Sequence, residues 1–114
     1  MSNFIQYDTS ELIVDGVNIT EALQSDKGLV FNESYTITGI KVASPYVYAC
    51  YDLTVIGDFE VEKIEIRGNL YVIGNIKTKE LSCLKSIICS GDIDADTILS
   101  SDIVANNIAC SSIS

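Results

Sequence analysis

LTVIGDFEVEK (residues 53–63), LYVIGNIKTKE (70–80) and IICSGDIDADT (87–97) align without a gap at a constant offset of 17 residues. A fourth stretch, IVANNIACSS from Ile103, follows after 16 residues, with one residue lost at the turn. Each unit carries apolar or small residues in i, i+2 pairs: Leu53/Val55, Phe59/Val61 and Ile64/Ile66, then Leu70/Val72, Ile76/Thr78 and Leu81/Cys83. The series continues with Ile87/Cys89, Ile93/Ala95 and Ile98/Ser100, then Ile103/Ala105, Ile108/Cys110 and a lone Ile113. An i, i+2 pair is a short strand with both side chains on one face. Pairs spaced five or six residues apart do not follow the 3.6 period of a helix. Three strands per 15–17 residues, joined by short corners, describe one coil of a triangular parallel β-solenoid.

The corners agree. Gly57-Asp58, Gly74-Asn75 and Gly91-Asp92 recur at one point of successive coils, and Asn106-Asn107 takes that place in the fourth. Gly, and next best Asn, tolerate the positive φ of a sharp corner. The expected core also tapers: second inward positions run Val55, Val72, Cys89, Ala105 on the first face and Val61, Thr78, Ala95, Cys110 on the second. On the third they run Ile66, Cys83, Ser100. A narrowing cross-section needs smaller fillers to keep interior packing density, which makes Cys83, Cys89 and Cys110 small buried hydrophobes. From Ile88 the chain also reads as an isoleucine every fifth residue, at 88, 93, 98, 103, 108 and 113.

Upstream, Tyr35/Ile37, Ile40/Val42 and Val47/Ala49 predict one earlier, irregular coil, with a bulged corner at Pro45 and its neighbouring tyrosines. Residues 1–34 do not repeat. Leu12-Ile13-Val14 and Val17-Asn18-Ile19 flank Asp15-Gly16, a two-residue hairpin signal. Thr20 is placed to cap a helical turn over Thr20–Leu23. Solenoids need a covering element at their ends. The expectation is an all-β chain in one domain: a cap of hairpin and short helix over residues 1–34, then a solenoid of four to five coils over 35–114.

The Gly-Asp and Gly-Asn corners within Leu-Thr-Val-Ile-Gly-Asp, Gly-Asn-Leu-Tyr-Val-Ile-Gly-Asn-Ile and Gly-Asp-Ile-Asp-Ala resemble the repeats of bactofilins, polymer-forming β-helix proteins of bacteria. The likeness covers about residues 53–110. It implies a right-handed coil and end-to-end association. The five-residue isoleucine ladder is similar, more weakly, to pentapeptide-repeat proteins, some of which are acidic mimics of duplex DNA.

Of 114 residues, 47% are hydrophobic and 20% charged, a balance that excludes a wholly disordered chain. Seven Lys+Arg against sixteen Asp+Glu give a net charge of −9. Such a surface repels phosphate backbones and argues against direct nucleic-acid binding. No apolar run approaches a membrane span of roughly 20 residues, and MSNFIQYDTSELIV lacks the pattern of a secretory signal. With four cysteines, no CxxC and no His, neither a zinc site nor a redox pair is expected, and reduced thiols in the cytoplasm are the default.

No enzyme site, metal or cofactor is expected. There is no His for general-base work, no glycine-rich phosphate loop and no GxSxG. The chemistry expected is surface chemistry. Outward positions of the first face are Thr54, Tyr71, Ile88 and Val104, with Ile56 and Ile73 just beyond. They form an apolar stripe, which is either a contact surface or a seat for the N-terminal segment folding back. The final coil stops at Ile113-Ser114, one strand short of completion, and an open parallel edge is a template for added strands. The candidate interface is Ile56, Tyr71, Ile73, Ile88, Val104, Ile108 and Ile113, for self-association into a homo-oligomer. The alternative partner is a basic protein whose nucleic-acid groove is occupied by an acidic decoy: a phage anti-defence protein of anti-CRISPR type, a DNA mimic, or the immunity protein of a nuclease toxin. The residues for that role are Asp58, Glu60, Glu62, Glu65, Asp92, Asp94, Asp96 and Asp102, with Lys77 and Lys79 interrupting them.

Overall fold

The computed structural model describes residues 4–8, 11–14, 16–25 and 28–113. The elements are β1 (Phe4–Asp8), β2 (Glu11–Val14), β3 (Val17–Asn18), α1 (Thr20–Leu23), β4 (Gln24–Ser25), β5 (Gly28–Phe31), β6 (Tyr35–Ala49), β7 (Leu53–Ile66), β8 (Leu70–Ile73), β9 (Ile76–Cys89), β10 (Asp92–Val104) and β11 (Asn107–Ile113). From β5 onward every pairing of neighbouring coils is parallel. The long strands run on around the corners, so the chain winds as a β-solenoid of about five turns.

Register follows from the i, i+2 pairs. On the first face Tyr35, Leu53, Leu70, Ile87 and Ile103 stack in one column, beside Ile37, Val55, Val72 and Cys89. The second face stacks Val42, Phe59, Ile76, Ile93 and Ile108 beside Ser44, Val61, Thr78, Ala95 and Cys110. The third stacks Leu29, Val47, Ile64, Leu81 and Ile98 beside Phe31, Ala49, Ile66, Cys83 and Ser100, with Ile113 paired to Ile98 at the backbone. These columns form one continuous core. Burying each large aliphatic contributes about 1.5–3 kcal/mol, and this repeated burial holds the stack together. Thr78 is the one buried polar side chain among the described residues. Its hydroxyl lies 3.1 Å from the carbonyl of Glu62 and 3.2 Å from that of Glu80, so the group is not stranded.

The taper is visible in the pairing. The offset is 17 at Ser100↔Cys83, 16 at Asp102↔Ser86 and 15 at Asp92↔Asn107. A residue is lost at the register shift between Ser100 and Asp102, and another between Val104 and Asn107. Ile87 faces inward and is fully buried, whereas Ile88 faces outward. The five-residue isoleucine ladder therefore begins at Ile93 and excludes Ile88, because the first-face column is set by Leu53, Leu70 and Ile87.

Two corner ladders lock the coils. The Asp58 carboxylate accepts the backbone N–H of Asn75 at 3.1 Å, and the Asn75 carboxamide oxygen accepts that of Asp92 at 2.9 Å. Asp92 in turn accepts from the side-chain amides of Asn106 (3.3 Å) and Asn107 (3.1 Å). A parallel ladder runs from Asp52 to the N–H of Asn69 and from Asn69 to the N–H of Ser86. Gly74 has φ +148°, and a methyl group there would collide with the carbonyl oxygen of Gly57. At Gly91 the need is space alone: a side chain would strike the Asn75 carboxamide.

The N-terminal region departs from a simple cap. β1 pairs in parallel with the start of β6 (Ile5↔Ile37), and β5 with its end (Leu29↔Val47). These strands extend the first and third faces by a partial coil, so residues within 1–34 belong to the solenoid. β2 and β3 form the expected hairpin (Ile13↔Asn18, Val14↔Val17), with Asp15 outside the described residues and Gly16 at φ +81°. The Thr20 hydroxyl accepts the N–H of Leu12 at 2.8 Å, while Asn18 accepts the N–H of Thr20 at 3.0 Å. Thr20 thus ties α1 to β2. Ile5, Leu12, Leu23, Leu29 and Phe31 are buried together and close this end of the core. The expected bulge at Pro45 falls elsewhere: Ser44↔Val61 and Tyr46↔Lys63 keep register, and the shift lies between Thr38 and Lys41. A side chain at Gly39 would strike the backbone of Tyr7, which makes that the place for an irregularity.

Candidate interaction surface

The outward positions of the first face read, coil by coil, Thr36/Thr38, Thr54/Ile56, Tyr71/Ile73, Ile88 and Val104. None is charged, although 20% of the chain's residues are. Ile56, Ile73, Ile88 and Val104 are exposed, Val104 most of all at 61%, and Tyr71 is half-buried. The described N-terminal strands β1 and β5 stack at the end of the solenoid and not over this stripe. Among the described residues nothing covers it.

The stripe ends at Val104, beside the outermost coil. Ile108 occupies an inward register position, beneath which Ile93 is 1% exposed, yet Ile108 itself is 40% exposed. Ile103, Ala105 and Cys110 are likewise only partly buried, where the matching Ile87, Cys89, Ile93 and Ala95 of the coil below are buried. The segment Ile103–Ile113 contains no charged residue. Ile113 pairs with Ile98 at the backbone, and its side chain lies outside the described residues. The outward edge of β11 has no partner strand among the described residues.

The acidic candidates do not form one surface. Asp58 and Asp92 are spent in the corner ladder, and Glu60 pairs with Lys41 at 3.1 Å. Glu65 lies on the third face and accepts the Tyr46 hydroxyl at 2.7 Å. Burial, with that hydrogen bond and the carboxylate charge, pushes the Tyr46 pKa up to about 12. Asp102 sits at the corner leading to Ile103. On the second face Glu60/Glu62, Lys77/Lys79 and Asp94/Asp96 form successive rows lining an open groove of about 750 Å³. Lys77 and Lys79 divide the carboxylates at the middle of that face.

Comparison with protein-family models, with characterised proteins and with solved structures returns no match.

Cys83 and Cys89 are buried, with Sγ 3.1 Å from the carbonyls of Gly68 and Gly74 respectively. Burial pushes both thiols up from the ordinary range. Cys50 and Cys110 are half-buried, and none of the four is in a disulfide. Among the described residues no group of three His, Cys, Asp or Glu is placed to hold a metal ion, and no helix is long and apolar enough to cross a membrane. The fold fits a protein that acts by presenting surfaces. What those surfaces offer is apolar contact, backbone pairing along β11, and a mixed charged stripe on the second face. Sequence reasoning missed the coil strands in the N-terminal region, although Leu29/Phe31 is itself an inward i, i+2 pair.

Proposed function

We propose that this protein is a non-catalytic, cytoplasmic β-solenoid that works by self-association, through its outermost coil and the adjoining stripe of the first face. The observation that carries the reading is Ile108, a core position left 40% exposed beside other partly covered inward residues. Leaving a core column half open to water forgoes burial energy that a second layer of strand recovers. A second copy is the partner that suits the surface. Two chains of net charge −9 repel, and the uncharged segment 103–113 with the uncharged first face lets them touch without bringing carboxylates together. The bactofilin-like corners are in keeping with end-to-end contact.

The acidic-decoy reading has less support, because its carboxylates are divided among ladder, ion pair and third face, with lysines between. The test is substitution. Val104→Asp, on an exposed position, should give a monomer that keeps the far-UV spectrum of the parent. An unchanged oligomer would overturn the surface assignment, and salt-sensitive capture of a basic protein by a monomeric parent would favour the decoy.

A further inference from the structure

The two ends of the solenoid are not alike. At one, β2, β3 and α1 continue beyond β1, and Leu12 and Leu23 close the core. At the other, Ile103, Ile108 and Cys110 are incompletely covered and β11 presents an unpaired edge among the described residues. The strands beyond the parallel stack at the first end, β2, β3 and β4, are short and antiparallel and give a parallel β11 edge no continuation of its own kind. Among the described residues, the open end presents an edge that a second copy of itself can match.

Resting on the self-association reading, we infer that assembly stops at a closed two-fold pair, open end to open end, and does not grow into a filament. A two-fold axis across the end reverses the partner, so each β11 meets the other antiparallel, and the contact is isologous. β11 pairs along the second face from Asn107 to Cys110, and Ala109 is the outward-facing residue between its two inward positions there. With the axis beside Ala109, the two Ala109 residues stand opposite each other and Asn107 faces Ser111 of the other copy. The segment is free of charge, so no like-charge pair is created at the seam. The nearest carboxylate rows, Asp92, Asp94 and Asp96, lie one coil back in each copy. Across three strand spacings of ~4.8 Å they are more than a Debye length of about 8 Å apart at physiological salt.

The test is cross-linking through Ala109→Cys, with Ser111→Cys for comparison and the parent chain as the background for its native thiols. Residues directly opposite in an antiparallel pair have Cα atoms roughly 4.5–5.5 Å apart, within the range a disulfide spans. Mild oxidation should convert Ala109→Cys to a covalent dimer at least ten-fold faster than the parent or Ser111→Cys. The solution mass should level off at twice 12.4 kDa as concentration rises. A mass that keeps growing overturns the closed pair while leaving self-association standing. A dimer by mass in which Ala109→Cys cross-links no faster than Ser111→Cys overturns the antiparallel β11 seam. A monomer at every concentration overturns both the pair and the self-association reading on which it rests.

Discussion

Ile108 stands directly over Ile93 in the second-face column, yet it is 40% exposed where Ile93 is 1%. The same residue type, at the same register position one coil apart, is core in one case and surface in the other. The two positions should answer substitution differently. Ile93→Ala should cost about 2–5 kcal/mol of unfolding free energy, seen as a lower urea midpoint at unchanged slope. Ile108→Asp should leave the fold intact by circular dichroism and abolish association. A fold loss from Ile108→Asp as large as that from Ile93→Asp would show that its exposure is only nominal.

The Asp58–Asn75–Asp92 ladder makes a separable contribution. Asn75 supplies a backbone donor to Asp58 and a side-chain acceptor to Asp92. Asn75→Ala leaves the Asp92 N–H without that acceptor at an exposed corner, with a cost of about 0.5–1.5 kcal/mol by the usual net worth of such bonds. Gly74→Ala should cost more than Asn75→Ala, since both its φ of +148° and the approach of Gly57 oppose a side chain. Equilibrium denaturation of the two variants orders them.

Most of the coil was legible from the chain because burial alternates with period two and the coils repeat at a fixed offset. Leu53, Leu70 and Ile87 announce a column by their spacing alone. What escaped was set by contacts that no repeat encodes. Ile5 is one inward residue in a short strand, and only its pairing with Ile37 makes it part of the stack. Gly39 takes the irregularity expected at Pro45 because the backbone of Tyr7 lies against it. The acidic residues were legible as charge but not as roles: Asp58 and Glu65 look alike in sequence, and one caps a neighbouring backbone N–H while the other accepts a tyrosine hydroxyl.

The thiols divide by burial. Cys83 and Cys89 are held against backbone carbonyls and their pKa values are raised by burial, so the reactive thiolate is disfavoured. At pH 8 a colorimetric thiol reagent should leave these two unmodified in the folded protein and react with all four after denaturation in urea. Rapid reaction of Cys83 in the native state, identified by peptide mapping, would contradict its placement in the third-face column.

Alkaline stability carries the signature of Tyr46. Its pKa is raised from 10.0 to about 12, so the folded state holds the phenol proton more tightly than the unfolded chain does. That contribution is complete below pH 10 and lost as pH rises towards 12. Tyr46→Phe should therefore flatten the fall in stability across this window and remove the corresponding step from the phenolate absorbance titration. An unchanged profile would mean that the 2.7 Å contact with Glu65 does not hold the hydroxyl.

Self-association is the central claim, and the molar mass of the intact chain in solution tests it most directly. Light scattering on a sizing column, over a wide concentration range and at low and high salt, should show a concentration-dependent rise from 12.4 kDa. The rise should persist or strengthen in high salt, because the seam is apolar and the opposing charge of −9 on each chain is screened. A strict monomer under every condition, or an oligomer that dissolves as salt is added, would contradict it.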